Sequence, residues 1–173
     1  MTDVIILAGG KGTRLQPLIK DKPKCMVNIG GHPFIYWLLT TLFLQKITYI
    51  VLALGYKSDQ VIDYCNKYNN IEFSFDFDYN IEDGLLGTGG AIRENLWRIA
   101  SPQILVLNGD SFCRFNAQRL LDTHIANNAK ITIQLTELED CSEYGKVKGK
   151  SVFYASINKH PIRTKRWHRK KKK

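Results

Sequence analysis

From Gly9 to Lys24 the chain reads Gly-Gly-Lys-Gly-Thr-Arg-Leu-Gln-Pro-Leu-Ile-Lys-Asp-Lys-Pro-Lys, a glycine loop that carries Lys11, Arg14, Lys22 and Lys24. Backbone N–H groups unshielded by a Cβ can crowd around phosphate oxygens, and fixed cations neutralise the charge that collects there. The segment suits a polyphosphate. A Walker-type loop requires Gly-x-x-x-x-Gly-Lys-Ser/Thr, a string that does not occur, and a dinucleotide fingerprint requires glycine where Leu15 stands. A flexible turn with no ligand would need neither these cations nor the stiffening Pro17 and Pro23.

Two further segments carry candidate chemistry. Asp110 closes the apolar run Leu107-Asn108-Gly109 and sets a carboxylate at a strand end. Beside a polyphosphate such a hard oxygen ligand implies Mg²⁺, although a strand-end aspartate that caps the next turn would read the same. Asn108 is placed to touch a sugar or its phosphate, or is an ordinary turn asparagine. In Glu82-Asp83-Gly84-Leu85-Leu86-Gly87-Thr88-Gly89-Gly90-Ala91, glycines ahead of a helix let a flat base approach the backbone, and Thr88 adds a polar contact. A plain glycine-rich helix start is the alternative. His32, His124, His160 and His168 lack a partner at catalytic spacing and read as surface or helix-face residues. Cys25, Cys65, Cys113 and Cys141 show no metal or disulfide spacing and read as incidental thiols. The acidic run Glu137, Glu139, Asp140 and Glu143 reads as a solvated face.

The elements that must hold these segments alternate. Val4-Ile5-Ile6-Leu7 is a buried strand. Pro33 opens a helix bearing Phe34, Ile35, Trp37, Leu38, Leu42 and Phe43 on a broad apolar face. Thr48 to Leu54 is a strand, Ser58 caps a helix to about Tyr68, and Ile71 to Phe75 is a short strand. Gly87 to Gly90 open a helix that includes Ile92, Leu96 and Trp97. Gln103 to Leu107 form a strand, Asn116 caps a helix to about Asn127, and Ile131 to Leu135 form another strand. Strands alternating with helices predict an α/β fold with a mostly parallel sheet, covered on both faces, whose ligands bind at the carboxyl ends of the strands. All three glycine or carboxylate segments begin at such ends.

At these residues the chain resembles the sugar-phosphate nucleotidyltransferases, the pyrophosphorylases that make nucleotide-activated sugars. Their signature, G-G-x-G-T-R-L-x-P-L followed by P-K-P-M, is matched by Gly9 to Leu18 and by Pro23-Lys24-Cys25-Met26, with Cys25 at the second proline. Leu86 to Ala91 and Leu107 to Asp110 follow in order, and the likeness covers about residues 3 to 147. It implies a Rossmann-like three-layer fold with the C-terminal part of the family fold missing. It also implies nucleotide contacts at Leu7, Ala8, Gly9, Gly10, Lys11, Gly12, Thr13, Arg14, Gly87 and Thr88, and sugar-phosphate contacts at Lys24, Gly89 and Asn108. Asp110 matches the metal ligand, and Arg14, Lys24 and Asp110 the catalytic set, with Mg²⁺ as cofactor. The wording Leu-Gly-Thr-Gly-Gly-Ala is most like enzymes that activate mannose- or heptose-type sugars with GTP, while relatives that use UTP or CTP differ little.

The implied reaction joins a nucleoside triphosphate, GTP favoured, to a sugar 1-phosphate and releases pyrophosphate. A catalytically impaired nucleotide-binding remnant is the alternative. A chain of 173 residues fits one domain. The formal charge of +9 resides entirely in residues 151–173, which hold nine basic residues and no acid. A nucleotidyltransferase-like domain over 1–147 is therefore expected to precede a basic tail over 148–173, disordered or produced by a frame shift. A basic arm that binds nucleic acid non-specifically or an acidic membrane is the other reading of that tail. The family's later Glu-Lys pair and second metal aspartate are not found. With neither a signal peptide nor a membrane span legible, a cytoplasmic location is expected.

Overall fold

The apolar run after Asp3 is buried to 0% exposure at Val4, Ile5 and Ile6 because it forms an interior strand of a parallel sheet, apolar on both faces. The structure, a computed structural model, describes residues 2–10, 12, 21–69, 71–84 and 86–136. Lys11, Thr13, Arg14, the acidic run from Glu137, Cys141, His160, His168 and the boundary expected at 147 lie outside them. The chain divides into two units, Met1–Leu121 and Asp122 onward.

In the first unit β1 (Asp3–Ala8) leads to a two-stranded ribbon, β2 (Asn28–Ile29) and β3 (His32–Pro33), and then to α1 (Phe34–Leu44). Next come β4 (Tyr49–Leu54), α2 (Ser58–Asn69), β5 (Asp76–Ile81), α3 (Gly87–Asn95), β6 (Ile104–Asn108) and α4 (Ala117–Ala126), which continues into the second unit. The main sheet has the order β5-β4-β1-β6, with β4 and β6 both paired parallel to β1 and β5 parallel to β4. On one face Val4, Ile6, Ile50, Leu52 and Leu54 pack with Ile35, Leu39 and Leu42 of α1 and Val61 and Cys65 of α2. On the other, Ile5, Val51 and Ala53 pack with Ile92 of α3 and with Ile99. Helices on both sides of a parallel sheet give the expected three layers. Asp3 ties the layers at their base, since its Oδ2 accepts from the N–H groups of Ala100 and Ser101, both at 2.9 Å. Asn116 caps α4 as expected, its Oδ1 accepting from the Arg119 N–H at 2.8 Å.

Four local expectations are corrected. The strand read at 71–75 lies instead at Asp76–Ile81. Phe73 and Phe75 alternate as a strand would and are buried, but the Phe75 backbone is clipped by Asn69, whose Nδ2 donates to Phe75 O and whose Oδ1 accepts from Phe75 N. That side chain replaces a ladder, so pairing with β4 begins one residue later. The helix read as including Leu96 and Trp97 ends at Asn95, where it tightens into a 3₁₀ turn over Leu96–Arg98 that leaves them 48% and 76% exposed. Over 131–135 only Leu135 bridges, and Ile131 and Ile133 are exposed. Trp37 and Phe43 likewise lie at the surface of α1 rather than in its core face.

Gly55, just past β4, presses on the loop after β1. A Cβ there would meet Gly9 O at 2.5 Å and Gly9 Cα at 3.0 Å, and both are backbone atoms that cannot rotate away. Gly55→Ala is expected to cost about 1–3 kcal/mol by overpacking. Gly84→Ala, with nothing within 4 Å of its Cβ, should stay within about 0.5 kcal/mol of the parent when both variants are compared by urea titration.

Candidate active site

The chain runs outward from β1 to β4 and β5, then returns to β6 on the other side of β1. That reversal opens a crevice at the carboxyl ends of β1 and β6, where open α/β sheets bind ligands. Gly109 leaves β6 tight against β1: its N–H donates to Leu7 O at 2.8 Å, and a Cβ would lie 2.8 Å from the Ala8 Cβ. Only glycine permits so close a course. The next residue, Asp110, is thereby held at the crevice rim, with Asn108 exposed beside it.

Lys24 reaches the same place from a different part of the sequence. Its Nζ donates to Asp110 Oδ2 at 3.0 Å, and Ser111 Oγ donates to Asp110 Oδ1 at 3.0 Å. The side chains of Lys24 and Asp110 are 30% and 41% exposed, so the pair faces solvent and is open to a ligand. Lys24 opens a 3₁₀ turn closed by Met26 N–H to Pro23 O at 2.9 Å and Val27 N–H to Lys24 O at 3.1 Å. Pro23 and Cys25 are buried beneath it. Burial, with a smaller contribution from the Asp110 charge, pushes the Cys25 thiol up to about 12, so it stays neutral. The methylene stem of Lys24 crosses Gly12, where a Cβ would meet Cγ at 2.7 Å. Gly12 itself sits at φ +62°, a conformation that favours glycine.

A third group joins from β5. The Glu82 N–H donates to Leu54 O at 2.8 Å, and its carboxylate lies against Gly9, with Oε2 at 2.9 Å from where a Cβ would stand. Burial and then the Glu94 charge hold this carboxyl above the usual carboxylate range. After it α3 opens at Gly87, with Gly87, Thr88 and Gly89 exposed in its first turn and no capping side chain from Leu86. The first N–H groups of that helix and its dipole favour an electron-rich ligand at this edge.

Of the residues singled out from the sequence, Leu7, Ala8, Gly9, Gly10, Gly12, Lys24, Asn108 and Asp110 gather at the ends of β1 and β6, while Gly87, Thr88 and Gly89 line the neighbouring helix start. Gly55 and Ser111 carry no signal in the sequence, and Glu82, which heads the segment read as base-binding, has no role assigned to it there. His32 stacks on Tyr36 at 4.0 Å and His124 Nδ1 sits 2.9 Å from Thr132 Oγ1, contacts of the kind ordinary surface histidines make. No helix among the described residues is long and apolar enough to cross a membrane.

A glycine loop, a lysine and a carboxylate therefore meet at the switch point of a parallel sheet. The chain belongs to the nucleotidyl transferase family, whose profile matches residues 3–157. It is 32% identical over 146 residues to the D-glycero-alpha-D-manno-heptose 1-phosphate guanylyltransferase of Aneurinibacillus thermoaerophilus, a match that covers 84% of this chain and 62% of that protein. It is 34% identical over 143 residues to the mannose-1-phosphate guanyltransferase of Kluyveromyces lactis, covering 82% of this chain and 39% of that one. Among solved structures, HddC from Yersinia pseudotuberculosis complexed with GMP-PN superposes with a TM-score of 0.64 and 41% identity, over 72% of this chain and 55% of the other. The chain thus spans less than two thirds of the length of these relatives.

Proposed function

We propose that this protein transfers a nucleoside monophosphate, from GTP in preference to other triphosphates, to a sugar 1-phosphate of the mannose or heptose type. The products are a nucleotide sugar and pyrophosphate, and a reaction drawing on nucleoside triphosphates belongs in the cytoplasm. The observation that carries the reading is the 3.0 Å pair of Lys24 and Asp110 beside the Gly12 loop. Guanylyltransferase relatives and the GMP-PN complex support the choice of base and sugar.

The sugar phosphate is already an anionic nucleophile, so attack on the α-phosphorus needs no general base. The protein must hold two repelling anions in line and offset the charge that grows on the leaving pyrophosphate. Lys24 would stand between the α-phosphate and the sugar phosphate and Arg14 would meet the β- and γ-phosphates, with the N–H groups of Gly9, Gly10 and Gly12 for the remaining oxygens. Gly89 and Asn108 complete the sugar-phosphate side. Among the described residues no three His, Cys, Asp or Glu side chains converge. Magnesium suits such a site, because it keeps several waters and takes one or two carboxylates with the rest from phosphates. Asp110 would hold it, and when bound it neutralises phosphate charge.

Glu82 reads the base in this scheme. A carboxylate accepts two hydrogen bonds and donates none, which matches the adjacent N1–H and N2–H donors of guanine. Glu82→Gln is expected to weaken GTP about tenfold or more relative to UTP in competition binding, since the amide meets one guanine donor with its own N–H. The folded carboxyl titrates above its ordinary value, so its stabilising contribution is present at low pH and is lost as pH rises through the raised value. The same variant should therefore be no less stable than the parent at neutral pH, with any gain vanishing on acidification. The overall reading is tested by incubating the chain with GTP, Mg²⁺ and mannose- and heptose-type 1-phosphates. Pyrophosphate release with one of them supports it, and nucleotide binding without release from any sugar phosphate overturns it.

A further inference from the structure

Both oxygens of Asp110 are engaged, Oδ2 by Lys24 and Oδ1 by Ser111. An ammonium on a flexible stem therefore occupies one of the lone-pair directions that a cation would use. We propose that Lys24 acts as a tethered counter-ion which keeps divalent metal off Asp110 until a phosphate draws the lysine away, so that nucleotide and metal bind with positive coupling. The inference rests on the metal role given to Asp110 in the reading above.

Lys24 cannot satisfy Asp110 and a phosphate equally well at one time, because its stem is laid over Gly12 and only its end is free to swing. A phosphate seated on the Gly9 to Gly12 loop competes for that end with a dianionic oxygen cluster, which pairs with an ammonium more strongly than one carboxylate does. Once the lysine turns, Asp110 is left as an unpaired anion next to phosphate oxygens, the arrangement a hard cation prefers. Ser111 is a positioning residue here. Its hydroxyl fixes the carboxylate plane, so that the oxygen released by Lys24 already points into the crevice. By linkage the metal must favour the nucleotide by the same factor by which the nucleotide favours the metal.

The test measures Mn²⁺ binding to the full chain by electron paramagnetic resonance, with and without GMP, whose single phosphate chelates metal weakly in solution. Without GMP, Lys24→Met should bind Mn²⁺ about fivefold to tenfold more tightly than the parent, in keeping with the strength of a partly exposed ion pair plus relief of cation repulsion. Lys24→Arg retains a donor for Asp110 and should remain weak. GMP should tighten Mn²⁺ in the parent by a larger factor than in Lys24→Met. Ser111→Ala should lower Mn²⁺ affinity in the presence of GMP about threefold without altering GMP affinity in EDTA. Equal Mn²⁺ affinities for parent, Met and Arg variants, with GMP still bound, would overturn the coupling and leave the proposed activity standing. Absence of any Mn²⁺ site in Asp110-containing protein with GMP bound would remove both.

Discussion

Asp110→Ala is expected to lower nucleotide-sugar formation by about a hundredfold or more while the protein remains folded. The carboxylate is 41% exposed and its ion pair with Lys24 reaches into solvent, so its contribution to stability is at most about 1 kcal/mol. Its contribution to the reaction is of another order, because a preorganised charge next to a developing charge is worth about 3 kcal/mol in the barrier. Steady-state pyrophosphate release alongside a thermal melt distinguishes the two: the melt should be nearly unchanged while the rate collapses. A variant that keeps the parent's turnover would remove Asp110 from the reaction. Asp110→Asn should behave similarly, since an amide keeps the shape and loses the charge.

The second large effect is expected from a residue that carries no functional group. A methyl group at Gly12 would stand 2.7 Å from Lys24 Cγ, 3.2 Å from Cε and 3.3 Å from Cδ, so the whole stem of the lysine must leave its seat. The backbone at φ +62° adds about 1–2 kcal/mol of strain for an L side chain. Gly12→Ala should therefore reduce kcat toward the level of a variant without Lys24, about a hundredfold, with a smaller rise in KM for the triphosphate. If the effect runs through the lysine, Gly12→Ala combined with Lys24→Met should be little worse than either alone. Additive losses in that double variant would mean that Gly12 acts on the phosphates directly.

Much of this site was legible in the residues themselves. Gly9 to Gly12, Lys24 and Asp110 are written with strong local chemistry, and the alternation of apolar runs with capped helices was enough to set them at strand ends. What escaped the sequence depended on contacts between distant segments. Gly55 looks like any glycine after a strand until the pairing of β1 with β4 puts Gly9 O 2.5 Å from where its Cβ would be. Glu82 heads the glycine segment read as base-binding, but with a strand ending at Phe75 it falls in the middle of a loop, whereas the strand that ends at Ile81 delivers it to the crevice. The error arose from the Asn69 clip, a side chain imitating a strand partner, which no periodicity reveals. Ser111 was overlooked because a serine after an aspartate carries no signal apart from the carboxylate it touches.

The lysine turn is anchored in the hydrophobic core. Where relatives place a second proline, this chain has Cys25, 2% exposed and sunk among Ile35, Leu39, Leu54 and Cys65. Ring stiffness has been exchanged for an anchor driven into the hydrophobic interior. The four residues Pro23 to Met26 are consequently not a portable cassette. A chimera that grafted them onto another scaffold without a matching socket between the first two helices would leave the ammonium group unaimed, however faithful its sequence.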